Sequence, residues 1–210
     1  MRIAVINETS AADKNKDIIA ALDGFGHEVI NAGMKERGTI PELTYIHTGL
    51  LGAILLNLNR VDFVVGGCGT GLGFLISIMQ YPNVVCGHIA NPLDAWLFTQ
   101  INGGNAISLT LNQGYGWAGD VNLKFIFEKL FGVKSGCGYP PHRAESQAES
   151  RRRLIRISQK AHAPFAEIIR NLDDEVIRPV LEYPGVLELT DIDKIGDKEL
   201  KEAFRKRLTK

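Results

Sequence analysis

One thiol beside a run of glycines is where this sequence has the means to do chemistry. Val61-Asp62-Phe63-Val64-Val65-Gly66-Gly67-Cys68-Gly69-Thr70-Gly71-Leu72-Gly73 sets Cys68 between an apolar, β-branched run and a turn almost free of side chains. Glycines let a backbone come close to an anion and aim its N–H groups there, and the positive end of a following helix adds to the attraction. An oxyanion or phosphate suits such a turn. The thiolate of a cysteine at this place is favoured by the same amides, so the pair fits abstraction of a proton next to a carbonyl: a base takes the proton, and donors hold the charge that develops on oxygen. A lone cysteine otherwise reads as a small core hydrophobe, and GxG as tight strand-to-helix packing. The glycine context favours the reactive reading for Cys68, whereas Cys86, inside Val84-Val85-Cys86, reads as core, and Cys137 as an exposed loop residue.

Four other loops could supply partners. Glu8 and Thr9 follow the first apolar run, His88 ends Cys86-Gly87-His88, Asn102 and Asn105 bracket a glycine turn, and His142-Arg143 follows Pro141. His88 is a candidate acid–base group, since imidazole titrates near neutrality. His47, beside Tyr45, is a further candidate for substrate contact. His27 and His162 read as surface residues.

The elements that must position these residues alternate in the βαβ manner. Strands are expected over 3–6, 28–31, 62–66, 84–87 and 105–109, and helices over 14–25, 42–59, 71–79, 93–102 and 118–131. That order implies an α/β protein with a doubly wound (Rossmann-like), five-stranded parallel sheet and helices on both faces. Ligands of such sheets sit beyond the carboxyl ends of the strands. The expectation is that Glu8, Cys68 to Gly73, His88 and the Asn102–Asn105 turn share that rim.

Past Gly136 the composition changes. Pro140-Pro141 ends the sheet domain, taken as residues 1–141, and a helical C-terminal extension, 142–210, begins with one polar helix from about Ala144 to Asp173. Arg151, Arg152, Arg153 and Arg156 stand at spacings that allow ion pairs with Glu145 and Glu149, so they read as a solvated face. The segment from Val180 onward reads as an accessory arm, associated with dimer formation.

Composition excludes several function classes. With 24 basic and 24 acidic side chains in 210 residues the formal net charge is zero, which offers nucleic acid or an anionic membrane no average field. Three cysteines without a CxxC pair fit a reducing compartment, and neither an 18-residue apolar run nor a signal-peptide pattern occurs, so a cytoplasmic location is expected.

The chain resembles the ribose-5-phosphate isomerase B / galactose-6-phosphate isomerase group of sugar-phosphate isomerases. The likeness rests on Arg2-Ile3-Ala4-Val5, on Cys68-Gly69-Thr70-Gly71-Leu72-Gly73 after Val61-Asp62, and on Asn102 with Asn105, and it spans roughly residues 1–145. It implies an aldose–ketose isomerase of a sugar phosphate, working through a cis-enediol as a homodimer or higher homo-oligomer, without metal or organic cofactor. Cys68 would then be the base. Gly69, Thr70, Gly71, Leu72 and Gly73 would hold the enediolate, Asn102 and Asn105 would meet substrate hydroxyls, and His142 and Arg143 would reach a partner subunit's site.

The departures from that pattern are specific. Glu8-Thr9 replaces the family's Asp-His, Ile101 replaces its ring-opening histidine, and Pro141 and Glu145 occupy the two arginine places of its phosphate-binding Arg-His-x-x-Arg. A carboxylate-bearing or unphosphorylated substrate is therefore an open expectation. The alternatives are an epimerase or isomerase of a related sugar or sugar acid, or a non-catalytic sugar-phosphate or nucleotide-binding module.

Overall fold

A computed structural model describes residues 1–209. Five strands, β1 (Arg2–Asn7), β2 (Glu28–Asn31), β3 (Phe63–Cys68), β4 (Cys86–Ile89) and β5 (Ala106–Thr110), form one wholly parallel sheet in the order β2-β1-β3-β5-β4. Alternate residues leave opposite faces of a strand, and here both faces are buried. Ala4, Ile6, Val64 and Ala106 enter one core, while Ile3, Val5, Val65 and Ile107 enter the other.

The second core is closed by α1 (Asn15–Leu22), α4 (Pro92–Leu97) and α5 (Gly119–Phe131) through Ile18, Ala95 and Phe127. The first is closed by α2 (Tyr45–Asn57) and α3 (Leu72–Ile78). Helix α2 is apolar all round from Leu50 to Leu56 because it is buried on every side. Its close approach to α3 depends on glycine, since a Cβ at Gly49 would come within 2.2 Å of Ser77 Oγ. Gly66 serves α3 likewise, since a Cβ there would strike the Phe74 ring at 2.1 Å. These two contacts draw the start of α3 down onto the end of β3, where Cys68 sits.

Beyond the sheet the chain departs from expectation. The helix expected to run from Ala144 to Asp173 is two, α6 (Ala144–Ala161) and α7 (Phe165–Asn171), because Pro164 interrupts it. Helix α6 buries no residue. From α7 onward the chain is no arm: with α8 (Asp174–Leu181), α9 (Val186–Thr190) and α10 (Lys198–Leu208), it covers α2 and delivers Ile169, Ile177, Val186 and Phe204 to the same core as Ile6 and Leu50. Arg207 fastens α10 to α7 and α8, donating from Nε to Ile169 O at 2.9 Å and pairing through Nη1 with Asp174 at 2.7 Å. His27 is not a free surface residue either. Its ring lies edge-on to Phe131 at 5.0 Å, and burial pushes its pKa down. Among the described residues no helix is long and apolar enough to cross a membrane.

Candidate active site

At the carboxyl edge of the sheet β1 and β3 run side by side, with Asn7 opposite Gly67, so Glu8 and Cys68 are the first residues beyond the paired segment or at its end. Both are buried, at 4% and 5% exposure. Cys68 Sγ lies 4.0 Å from Thr70 Oγ1, which accepts the Leu72 N–H at 3.3 Å. The Glu8 carboxylate accepts from Ser10 Oγ. Ser10 in turn lies against the turn: a Cβ at Gly69 would meet Ser10 Oγ at 3.4 Å and Asn112 Nδ2 at 3.2 Å.

Four successive carbonyls of the turn each accept two hydrogen bonds. Cys68 O accepts from Gly71 N at 3.2 Å and Leu111 N at 3.1 Å, and Gly69 O from Asn112 N and Gln113 N, both at 2.9 Å. Thr70 O accepts from His88 Nε2 at 2.9 Å and Thr110 Oγ1 at 3.3 Å. Gly71 O accepts from Ser108 Oγ and from Leu75 N. With the carbonyls fixed on the side of β5 and the start of α3, the N–H groups of Gly69, Thr70 and Gly73 have no acceptor among the described residues. A peptide ladder with its oxygens pinned is a rigid donor set, the arrangement that holds developing negative charge without reorganising.

The glycines of the turn answer to separate constraints. Gly71 has φ +76°, and a Cβ there would approach His88 Nε2 to 2.7 Å. At Gly73 a Cβ would press into the Tyr45 ring at 2.9 Å, which places Tyr45 as an outer wall of the turn. Leu72 is half exposed on the same side.

The candidates divide between two edges. Glu8, Thr9, Cys68, Gly69, Thr70, Gly71, Leu72, Gly73 and His88 come together at the carboxyl edge. Asn102 and Asn105 do not, contrary to the expectation of one shared rim. They lie between α4 and β5, and a loop that precedes a parallel strand opens at the amino edge. Asn105 accepts from Val85 N at 2.9 Å and donates to Asn83 O at 2.8 Å, so it braces the entry to β4. His142 and Arg143, in a short turn (Pro141–Arg143) before α6, are exposed, and Arg143 lines a cavity with Asn102 at that same amino edge. His47 caps α2, taking the Thr44 N–H on Nδ1 at 3.0 Å and donating from Nε2 to Glu175 O at 3.1 Å, which makes it a brace between α2 and α8.

Sequence reasoning missed Ser10, Ser108, Thr110 and Asn112. Only strand pairing could have revealed the β5 hydroxyls: Cys68 pairs with Thr110 and Gly66 with Ser108, which puts both hydroxyls beneath the turn.

Fold and turn together define an α/β sugar isomerase. The chain belongs to the Ribose/Galactose Isomerase family, whose pattern it matches over residues 3–129. It is similar, at 40% identity over 99% of both chains and a TM-score of 0.91, to a ribose-5-phosphate isomerase from Vibrio parahaemolyticus. It is also similar to a 4-deoxy-L-threo-5-hexosulose-uronate ketol-isomerase complexed with a tartrate, at 37% identity over 100% of both chains and a TM-score of 0.90. The type B ribose 5-phosphate isomerase of Leishmania infantum shares the fold alone, with 13% identity and a TM-score of 0.61 over 77% of this chain and 98% of that one. No curated protein matches the chain.

Proposed function

We propose that the chain is a cytoplasmic, homodimeric ketol-isomerase that moves a proton between C1 and C2 of an open-chain sugar through a cis-enediol, with the Cys68 thiolate as base. The pinned turn carries this reading, because a buried thiol is followed within five residues by three amides that have no acceptor among the described residues. The thiolate removes the proton next to the carbonyl, and the amides of Gly69, Thr70 and Gly73 with the Thr70 hydroxyl hold the enediolate oxygens. The Cys68 thiol so formed, after partial exchange with solvent, protonates the neighbouring carbon, while the hydroxyl proton of the enediol passes from one oxygen to the other and leaves the carbonyl on the adjacent carbon. Each donor aimed at the developing charge contributes about 3 kcal/mol to lowering the barrier. Glu8, kept in place by Ser10, accepts from a substrate hydroxyl.

The substrate's anionic group is the carboxylate of a keto-uronic acid, of the kind the uronate ketol-isomerase is named for. Ile101 cannot open a sugar ring, and Pro141 and Glu145 stand where the family's phosphate-binding arginines are expected. A chain that reads a carboxylate and takes an already open carbonyl needs neither. The second reading, a pentose phosphate, is favoured by the 40% identity to the Vibrio ribose-5-phosphate isomerase.

Since Asn102, His142 and Arg143 lie at the amino edge, a substrate on Cys68 meets them only through a second copy. The discriminating experiment follows proton exchange in deuterium oxide for the wild type and Cys68→Ser, on a 5-keto-uronate and on ribose 5-phosphate. The expected result is exchange of the uronate by the wild type, lost in Cys68→Ser, whose hydroxyl is too weakly acidic to act at neutral pH. Near-full exchange by Cys68→Ser would end the proposal for that residue.

A further inference from the structure

The loop between β5 and α5 opens at the carboxyl edge of the sheet, and its root is fastened to the candidate catalytic turn. Asn112 and Gln113 both donate their N–H groups to Gly69 O at 2.9 Å, and Asn112 Nδ2 donates to Ser10 O at 3.0 Å. Tyr115 is a second anchor. Its hydroxyl donates to Asp17 at 2.8 Å, Lys14 Nζ lies 5.1 Å from its ring centre, and a Cβ at Gly119 would strike that ring at 2.3 Å. The residues around this anchor are held by nothing. Gly114 and Gly116 stand at φ +70° and +66°, and a Cβ on either would meet no atom within 4 Å among the described residues. Neither Gly116 nor Trp117 has an acceptor for its N–H among those residues. The Trp117 indole is 99% exposed, whereas the chain's other tryptophan, Trp96, packs edge-on to Tyr139 at 5.2 Å.

An indole is the largest apolar surface a side chain offers, and it gains most when something covers it. The turn is within its reach. Trp117 is four residues past Gln113, which is bonded to Gly69 O, so its Cα lies within about 14 Å of Gln113 even on a fully extended chain. Cys68 is buried at the base of the turn while Thr70 is exposed, so a sugar on the thiol turns its outer face to solvent. An indole laid over the C–H groups of that face buries apolar area on both and shuts water out. Water is what the reaction must exclude, because it strips the transferred proton from the thiol and weakens the hold of the amides on the developing charge. A second copy is a poorer cover. An interface anchor binds best when it is already rigid, and glycines on both sides of Tyr115 leave this tip the reverse.

We propose that Trp117 is a lid of the Cys68 site: it swings about Gly114 and Gly116 and stacks its indole on the apolar face of the bound open-chain sugar. The inference rests on the isomerase reading above for its catalytic meaning, but the closure itself is read separately. The test uses the intact protein as wild type, Trp117→Phe and Trp117→Ala, with a 5-keto-uronate and ribose 5-phosphate, each deuterated at the carbon that gives up its proton. The first readout is indole emission. Binding should shift the wild-type emission to shorter wavelength and leave that of Trp117→Phe, whose one indole is Trp96, unchanged. The second is the share of deuterium delivered to the neighbouring carbon rather than lost to water. That share should fall about tenfold in Trp117→Ala, with Trp117→Phe, which keeps a ring, in between. A loss of stability alone lowers the amount of active enzyme and leaves the share where it was. An unchanged share in Trp117→Ala, or no emission shift with either compound, overturns the lid. So does the emission of an already buried indole in the ligand-free protein, because a second copy is then its cover. A shift that depends on Trp117, in a protein that isomerises neither compound, keeps the lid and ends the isomerase reading; turnover without a shift does the opposite.

Discussion

Cys68 and the glycines of the candidate site stand in consecutive letters and can be singled out from the sequence, whereas the groups that make the turn rigid are spread over β4 and β5. His88 shows the consequence. Its Nε2 carries the proton given to Thr70 O, also within 3.0 Å of Thr110 Oγ1, so the imidazole is committed to the backbone of the turn. We propose that it positions the turn, and His88→Ala should then lower turnover of open-chain and cyclic substrates by the same factor, about tenfold for a lost bond of this kind. A loss confined to cyclic substrates would mark it instead as the group that opens the ring. Gly71 admits no side chain: Gly71→Ala places a Cβ against His88 at positive φ and should cost about 1–3 kcal/mol in denaturant unfolding, with activity falling further than stability. Wild-type activity in Gly71→Ala would show that the turn tolerates a different path. Ser108 and Thr110 escaped notice for a physical reason, since a hydroxyl in a strand reads as half-exposed surface until its neighbour strand is known.

Among the elements, the sheet was read correctly in number and direction, with strand ends displaced by one or two residues, because alternation and buried runs are local properties. The C-terminal segment reads as helical, but its packing on the core does not show, because that burial depends on α2 being apolar on its outer side as well, and a sequence does not say what covers that side. Phe204 is the clearest case. It is wholly buried in the core that contains Ile6 and Leu50, so Phe204→Ala should cost about 3–5 kcal/mol. A cost near zero would mean that the last helix is a detachable arm. Helix α6 draws its order from charge instead. Three guanidinium groups hold the Glu149 carboxyl down to about 2 from its ordinary 4.5, so this support is complete above 4.5 and is lost as pH falls toward 2. Hydrogen-exchange protection across α6 should fall over that window in the wild type. It should be low and flat in Glu149→Gln, and identical profiles for the two would remove the charge cluster from the account.

The whole molecule carries its candidate residues on opposite edges of one sheet, the thiol and its amides on one and Asn102 and Arg143 on the other. Sequence order already carried that separation, because Asn102 and Asn105 precede β5 while Cys68 ends β3. The expectation of a common rim overlooked that loops before and after a parallel strand open in opposite directions. In the proposed homodimer a two-fold contact would bring unlike edges together and make two equal sites, each with a thiol from one copy and an arginine from the other. The most direct measurement is therefore the activity of a purified heterodimer in which one copy carries Cys68→Ser and its partner Arg143→Ala. One of its sites holds both lesions and the other neither, so the predicted activity is about half that of the wild type, while each mutant homodimer is nearly inactive. A heterodimer no more active than the two homodimers, or a fully active Arg143→Ala homodimer, would contradict a shared site built on Cys68.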